Sequence, residues 1–174
     1  ISREDALRNA VRMMKEGGAD ALKLEGGEEI ADAVKGLVDA GIPVVGHLGL
    51  TPQSIHKFGG YGLRAKSEAE ADKLMADAKA LDAAGVCAVV LEKIPAALAA
   101  KVTESISCPT IGIGAGGQCY GQVLVVDDML GKNAGFKPKF LRRYADLNTI
   151  MTDAIGQYVA DVKSSDFPNE QESY

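Results

Sequence analysis

Four residues able to do acid–base or ligand chemistry each sit at the end of a short apolar run. Lys23 and Glu25 close the first run, His47 the second and Glu92 the third, while a fourth run passes into glycines between Gly112 and Gly117. In parallel α/β sheets and barrels, ligands gather at the carboxyl ends of the strands, so polar groups at those ends are placed for chemistry. The period of two along a strand puts Lys23 and Glu25 on one face. In a barrel that face would be the interior, and a charged pair there asks for a ligand or a metal. Taken singly, each residue also has a structural reading. Glu25 can cap a helix starting near Glu28, Lys23 can be an ion-pair partner, and His47 can be a hydrogen-bonded core histidine. Glu92 can cap the helix after Pro95, and the glycines can simply turn the chain. The coincidence at four consecutive strand ends favours a site.

The elements that would carry these residues alternate regularly. Ser2 and Asp5 have capping-box spacing, and Ala6, Leu7, Ala10, Val11 and Met14 follow at helical intervals until Gly17 and Gly18. Ala19 to Leu24 reads as a buried strand, Glu28 to Asp39 as a helix and Ile42 to Gly46 as the next strand. Ser67 with Glu70 caps a helix through Leu74, Met75, Ala78 and Leu81. A strand over Val86 to Leu91 and a helix over Pro95 to Ser105 follow. Pro109 to Ile113 and Val123 to Val126 read as two more strands, and the chain turns helical again from Phe136, with Ile150, Met151, Ala154, Ile155, Tyr158 and Val162 on one face. Five apolar strands without polar alternation predict a parallel sheet covered on both faces.

The composition narrows the class. The 174 residues, 47% of them hydrophobic, suffice for one sizeable core. The formal charge of −5 is spread along the chain and no basic cluster marks a nucleic-acid or membrane footprint. No apolar run reaches the roughly 18 residues of a membrane span, and the first residues read as a charged amphipathic helix instead of a signal peptide. Cys87, Cys108 and Cys119 are not paired at metal-binding spacing, and they fit a reducing compartment, so a cytoplasmic location is expected. The expected organisation is a partial barrel with C-terminal helices over 1–163 and a polar tail over 164–174, mobile or docked on a neighbouring subunit.

Several stretches are specific enough to carry a resemblance. Lys23-Leu24-Glu25-Gly26-Gly27, Gly46-His47-Leu48-Gly49-Leu50-Thr51-Pro52-Gln53-Ser54, Phe58-Gly59-Gly60-Tyr61 and Ile111-Gly112-Ile113-Gly114-Ala115-Gly116 resemble the ketopantoate hydroxymethyltransferases, in the same order, as does Asp166-Phe167-Pro168 in the tail. The resemblance implies a (β/α)8 TIM-type barrel, Mg²⁺ dependence, methylene-tetrahydrofolate as one-carbon donor and 2-oxoisovalerate as acceptor in pantothenate synthesis. By position, Glu25 resembles the family's metal-site carboxylate, Lys23 the lysine that contacts the oxo acid, His47 a histidine of the same pocket and Glu92 the general base. It also implies a homo-oligomer. The chain departs from the commonest family pattern at Lys93, where many relatives have cysteine, and over Gly62 to Lys66.

A barrel typically takes about 250 residues, and the family's two aspartate metal ligands match nothing here. The expectation is therefore a (β/α)8 barrel lacking its first three β/α units, inactive without them. Other readings stay open at this point: a Schiff-base aldolase using Lys23 or Lys93, a phosphoenolpyruvate-mutase or isocitrate-lyase-like barrel, and a non-catalytic assembly module on a barrel scaffold.

Overall fold

Helix α1, Arg3–Gly17, starts where Ser2 Oγ accepts the Asp5 N–H at 3.1 Å and ends at Gly18 in the left-handed conformation. Its burial is narrow, with only Ala10 fully buried. The structure, a computed structural model, describes residues 2–174. It divides into two compact units, Ile1–Val123 and Leu124–Tyr174.

The first unit is built on strands β1 (Leu22–Glu25), β2 (Val44–Gly49), β3 (Ala88–Glu92), β4 (Thr110–Ile113) and β5 (Gly121–Gln122). All neighbours are parallel and the order is β1-β2-β3-β4-β5. Helix α2 (Ala31–Asp39) joins β1 to β2. The short α3 (Ile55–Phe58) and the long α4 (Glu68–Ala84) join β2 to β3, and α5 (Ala96–Ser105) joins β3 to β4. Crossovers between parallel strands are right-handed almost without exception, so a sheet that advances in one direction carries all its helices on one face. A doubly wound sheet reverses direction and covers both faces.

Burial follows this rule. Leu22, Val44, Leu48, Val89 and Leu91 point one way and form a single core with Val34 and Leu37 of α2, Leu74, Ala78 and Leu81 of α4, and Leu98, Ala99 and Val102 of α5. At Gly46 the fit is close: a Cβ there would stand 2.8 Å from Leu81 Cδ1. Leu81 is fully buried, and truncating such a leucine to alanine costs about 2–5 kcal/mol. The opposite face holds Lys23 and Glu25, Val45 and His47, Val90 and Glu92, and Ile111 and Ile113, as the pairing register requires. Val45, Val90, Ile111 and Ile113 are only half-buried there. Expected cover on both faces is thus found on one. The strands look continuously apolar because the second face carries β-branched residues as well, in the manner of a barrel's interior wall.

The fifth strand lies earlier than the apolar run suggests. Gly121 and Gln122 pair with Ile111 and Gly112, the Val123 N–H donates to the Gly112 carbonyl, and the ladder stops. Val123, Val125 and Val126 are exposed, and Val126–Met129 is instead a short helix, α6, with Asp127 and Asp128 in its first turn. The same second unit is irregular from 130 to 146, where the Arg143 guanidinium gathers the carbonyls of Asn133, Ala134 and Phe136. Helix α7, Leu147–Ser164, begins only at Asp146, whose carboxylate accepts the Thr149 N–H and hydroxyl. Beyond it Phe167 packs edge-on against Tyr158, with ring centres 5.6 Å apart.

Candidate active site

Glu25, His47 and Glu92 reach one place because β1, β2 and β3 end side by side. Glu25 pairs in register with His47, and Gly49 with Glu92. On β1, Lys23 and Glu25 share a face as the period of two requires, with Lys23 Nζ 3.6 Å from Glu25 Oε1. The His47 ring is buried between the neighbouring strand ends. Its Nδ1 stands 3.2 Å from Lys23 Nζ and 3.7 Å from Glu25 Oε1, and its Nε2 lies 3.2 Å from Glu92 Oε2. The Nε2 approach is close but out of line, so this buried nitrogen completes no hydrogen bond. All four residues singled out in the sequence therefore form one continuous polar cluster.

The structural alternatives resolve differently for each residue. Glu25 does not cap the turn that starts at Glu28. Its Oε2 reaches across to accept the Gln53 N–H at 2.9 Å, closing the start of the 3₁₀ turn Pro52–Ser54 over the site. The Glu28 N–H is taken by Asp77 Oδ1 from α4, at 2.8 Å. Glu92 caps nothing, since α5 begins at Pro95 without a side-chain cap. His47 is both a buried histidine and a member of the cluster. Lys93 departs from the rest: its Nζ is bonded to the Tyr61 carbonyl, and its own carbonyl accepts the Arg64 N–H at 2.8 Å.

Two glycines make the geometry feasible. Gly49 has φ +89, and a Cβ there would stand 2.2 Å from the Glu92 carbonyl oxygen. That carbonyl accepts the Leu50 N–H at 2.8 Å, which locks the β2 and β3 ends together. Gly27 is buried against Asp77, where a Cβ would fall 2.0 Å from the carboxylate carbon. Asp77 was not singled out from the sequence. Its signal is there: an acid amid Leu74, Ala78 and Leu81 on the buried stripe of α4 must meet a partner.

Behind Glu25 and His47 opens a cavity of about 670 Å³, bordered by Phe58, Arg64, Lys73 and Asp77. Arg64 stacks its guanidinium 4.2 Å above the Phe58 ring and donates to Glu70 Oε1 at 2.7 Å. Lys73 bridges Glu28, Glu29 and Asp77. Desolvation works against its charge, but hydrogen bonds to Asp77 and Glu28 outweigh it and raise its pKa. Partial burial likewise works against the Glu29 carboxylate. The backbone N–H groups of Glu29 and Gly27, with Lys73, prevail and hold it below its ordinary value.

As a test of metal fit, the donor set falls short. Among the described residues no three His, Cys, Asp or Glu side chains are grouped to hold a metal ion. Glu25 already spends one oxygen on Gln53 and turns the other toward the Lys23 ammonium. Mg²⁺ takes six oxygens in near-ideal octahedral geometry, so the residues of this chain do not make that site by themselves.

The sequence pattern of the family described as ketopantoate hydroxymethyltransferase matches residues 1–170. The 3-methyl-2-oxobutanoate hydroxymethyltransferase of Bacteroides fragilis is 64% identical over 170 residues, covering 98% of this chain and 62% of that protein. The enzyme of the same name from Prosthecochloris aestuarii is 60% identical over 174 residues, covering all of this chain and 63% of its own length. This chain thus spans a little under two thirds of the curated relatives it matches. Among solved structures, the YdjI aldolase from Escherichia coli K12 overlaps 68% of this chain and 49% of its own at 16% identity and a TM-score of 0.42, too loosely to bear on chemistry. With its motif residues brought together at adjacent strand ends and the family pattern running through nearly its whole length, the chain belongs to the ketopantoate hydroxymethyltransferase family.

Proposed function

We propose that this chain carries the oxo-acid end of an enzyme that transfers a hydroxymethyl group from methylene-tetrahydrofolate to 2-oxoisovalerate, giving ketopantoate for pantothenate synthesis. The observation that carries the reading is the joined cluster Lys23–Glu25–His47–Glu92 at the carboxyl ends of three adjacent parallel strands, in a chain of this family. Lys23, half-exposed, faces the carboxylate of the oxo acid. Glu92 takes the proton from the carbon next to the keto group, and burial of its surroundings keeps water from competing. The resulting carbanion attacks the methylene carbon of the folate, breaking its bond to one of the two folate nitrogens that hold it, and that nitrogen takes up a proton. Water then replaces the second folate nitrogen on that carbon, releasing tetrahydrofolate and the hydroxymethyl product.

Mg²⁺ is part of the proposal for the whole protein, where it would polarise the keto oxygen as a Lewis acid. Glu25 is proposed as one contributor to its site, with further oxygens drawn from substrate, water and protein outside these residues. The sequential parallel sheet with helices on one face is proposed to belong to a closed (β/α)8 barrel. The protein is proposed to be a cytoplasmic homo-oligomer. Free Cys87, Cys108 and Cys119 accord with a reducing compartment, and no described helix is long and apolar enough to cross a membrane.

The test, made in the whole protein, is solvent exchange of the acidic proton of 2-oxoisovalerate in deuterium oxide, followed by proton NMR without folate. Exchange should depend on added Mg²⁺ and fall at least about 100-fold in Glu92→Gln, with oxo-acid binding retained. Undiminished exchange in that variant would remove Glu92 from the role.

A further inference from the structure

The His47 ring is contacted by charged groups at both nitrogens. Nδ1 lies 3.2 Å from Lys23 Nζ, and Nε2 lies 3.2 Å from Glu92 Oε2. Glu25 Oε1 also faces Nδ1, but at 3.7 Å it is beyond hydrogen-bond reach. An ammonium group has three hydrogens and no lone pair, so in the contact with Lys23 the nitrogen Nδ1 must accept. The single proton of the ring is then on Nε2, directed at Glu92. The opposite tautomer would oppose an N–H to the lysine hydrogens and a nitrogen lone pair to a carboxylate, two repulsions in place of two attractions.

We infer that Lys23, acting through His47, fixes the ring as its Nε2–H tautomer and thereby makes His47 the positioning residue for the Glu92 carboxylate. The inference rests on the proposed role of Glu92 as base. It gives Lys23 a second task beside facing the substrate. It makes Nε2–H a buried donor with no completed hydrogen bond, a rare condition in native structures, and Glu92 is the acceptor beside it. A turn of the Glu92 side chain would bring Oε2 into line with the Nε2–H. Donation to Oε2 then leaves Oε1 as the atom that receives the substrate proton. The tautomer, once set by the far nitrogen, decides which carboxylate oxygen is free.

The experiment reads the tautomer directly. The chain has two histidines, His47 and the exposed His56, so in ¹⁵N-labelled protein a long-range nitrogen–proton correlation spectrum is simple to assign with a His56→Gln control. His47 should show a protonated Nε2 and an unprotonated Nδ1. Lys23→Met keeps the apolar stem and removes the donor, and it should turn this signature into a mixture of tautomers. Lys23→Arg, which can also only donate, should restore it. A protonated Nδ1 in the unaltered protein, or an unchanged signature in folded Lys23→Met, overturns the inference. If Lys23→Met does not fold, the unaltered and Lys23→Arg spectra decide.

A second arm, made in the whole protein, measures proton exchange at saturating oxo acid, where His47→Gln should slow the rate about 100-fold with a smaller change in KM, as expected for a misplaced base. An unchanged rate in His47→Gln overturns the positioning role. Exchange that survives Glu92→Gln while the Nε2–H signature is present overturns the base and leaves the tautomer standing, so the two failures are distinct.

Discussion

Gly27→Ala tests the packing that holds the loop after Glu25. A methyl group built on Gly27 falls 2.0 Å from Asp77 Cγ, 2.1 Å from Oδ1 and 2.4 Å from Cβ, far inside van der Waals contact. Asp77 must swing away or the loop must lift. Either way the Glu28 N–H loses its 2.8 Å charge-assisted bond and the bridge to Lys73 opens. Such a bond is worth about 1.5–3 kcal/mol and overpacking costs about 1–3 kcal/mol, so about 3–5 kcal/mol of stability should go. Urea unfolding should show the loss as a lower midpoint with an unchanged slope. Because Asp77 Cβ is itself in the way, Asp77→Ala gives no relief, whereas Asp77→Gly does. Asp77→Gly alone loses the bond and adds a helical glycine. Gly27→Ala on top of it should add less than about 0.5 kcal/mol, a coupling of more than about 2 kcal/mol. Additive effects, or a Gly27→Ala protein within about 0.5 kcal/mol of the original, would refute the account.

Three further outcomes follow from the same geometry. Gly49→Ala should cost about 2–5 kcal/mol, measured the same way, because a side chain at φ +89 would strike the Glu92 carbonyl backbone, which cannot rotate aside. Asp82→Ala strips the acceptor from the Ser107 and Cys108 N–H groups and the Ser107 hydroxyl and should cost about 1–3 kcal/mol near neutral pH. Burial opposes the Asp82 charge, but these donors hold its carboxyl below the ordinary value. The stabilisation is therefore present above the unfolded-state value and lost as pH falls through the folded one, and the two proteins should converge once the pH is below the folded-state value. Cys108, pushed up to about 12 by burial and by the neighbouring Asp82, should resist iodoacetamide at about pH 8, while exposed Cys87 is alkylated; mass spectrometry of the peptides decides.

The site was legible because chemistry and periodicity coincide at strand ends. Lys23, Glu25, His47 and Glu92 each close an apolar run, and the structure joins all four. Less legible was what supports them. Asp77 lies on the buried stripe of a helix remote in sequence, four residues after its partner Lys73, but its bond to the Glu28 N–H leaves no pattern in a sequence. The run Val123 to Val126 misleads because apolar residues signal burial without saying against what; these valines stay exposed and the chain turns into α6. Lys93 and the segment 62–66 touch in the fold. Lys93 holds the Tyr61 carbonyl with its side chain and the Arg64 N–H with its backbone, so a change at one end of this contact bears on the other.

The strictly sequential strand order also sets a timetable for assembly. Leu22 finds Val44 and Val89 finds Thr110, each about two dozen residues along the chain, whereas β2 must wait for β3 across the longer span from Val45 to Ala88. Loop-closure entropy makes that the slowest joint of the sheet to close, though its cost grows only gently with length. As the polypeptide leaves the ribosome, Glu25 and His47 meet first, with each unit docking on the one before it. Glu92 is the last of the cluster to arrive. A chain stalled before β3 would hold Lys23, Glu25 and His47 together, but not Glu92.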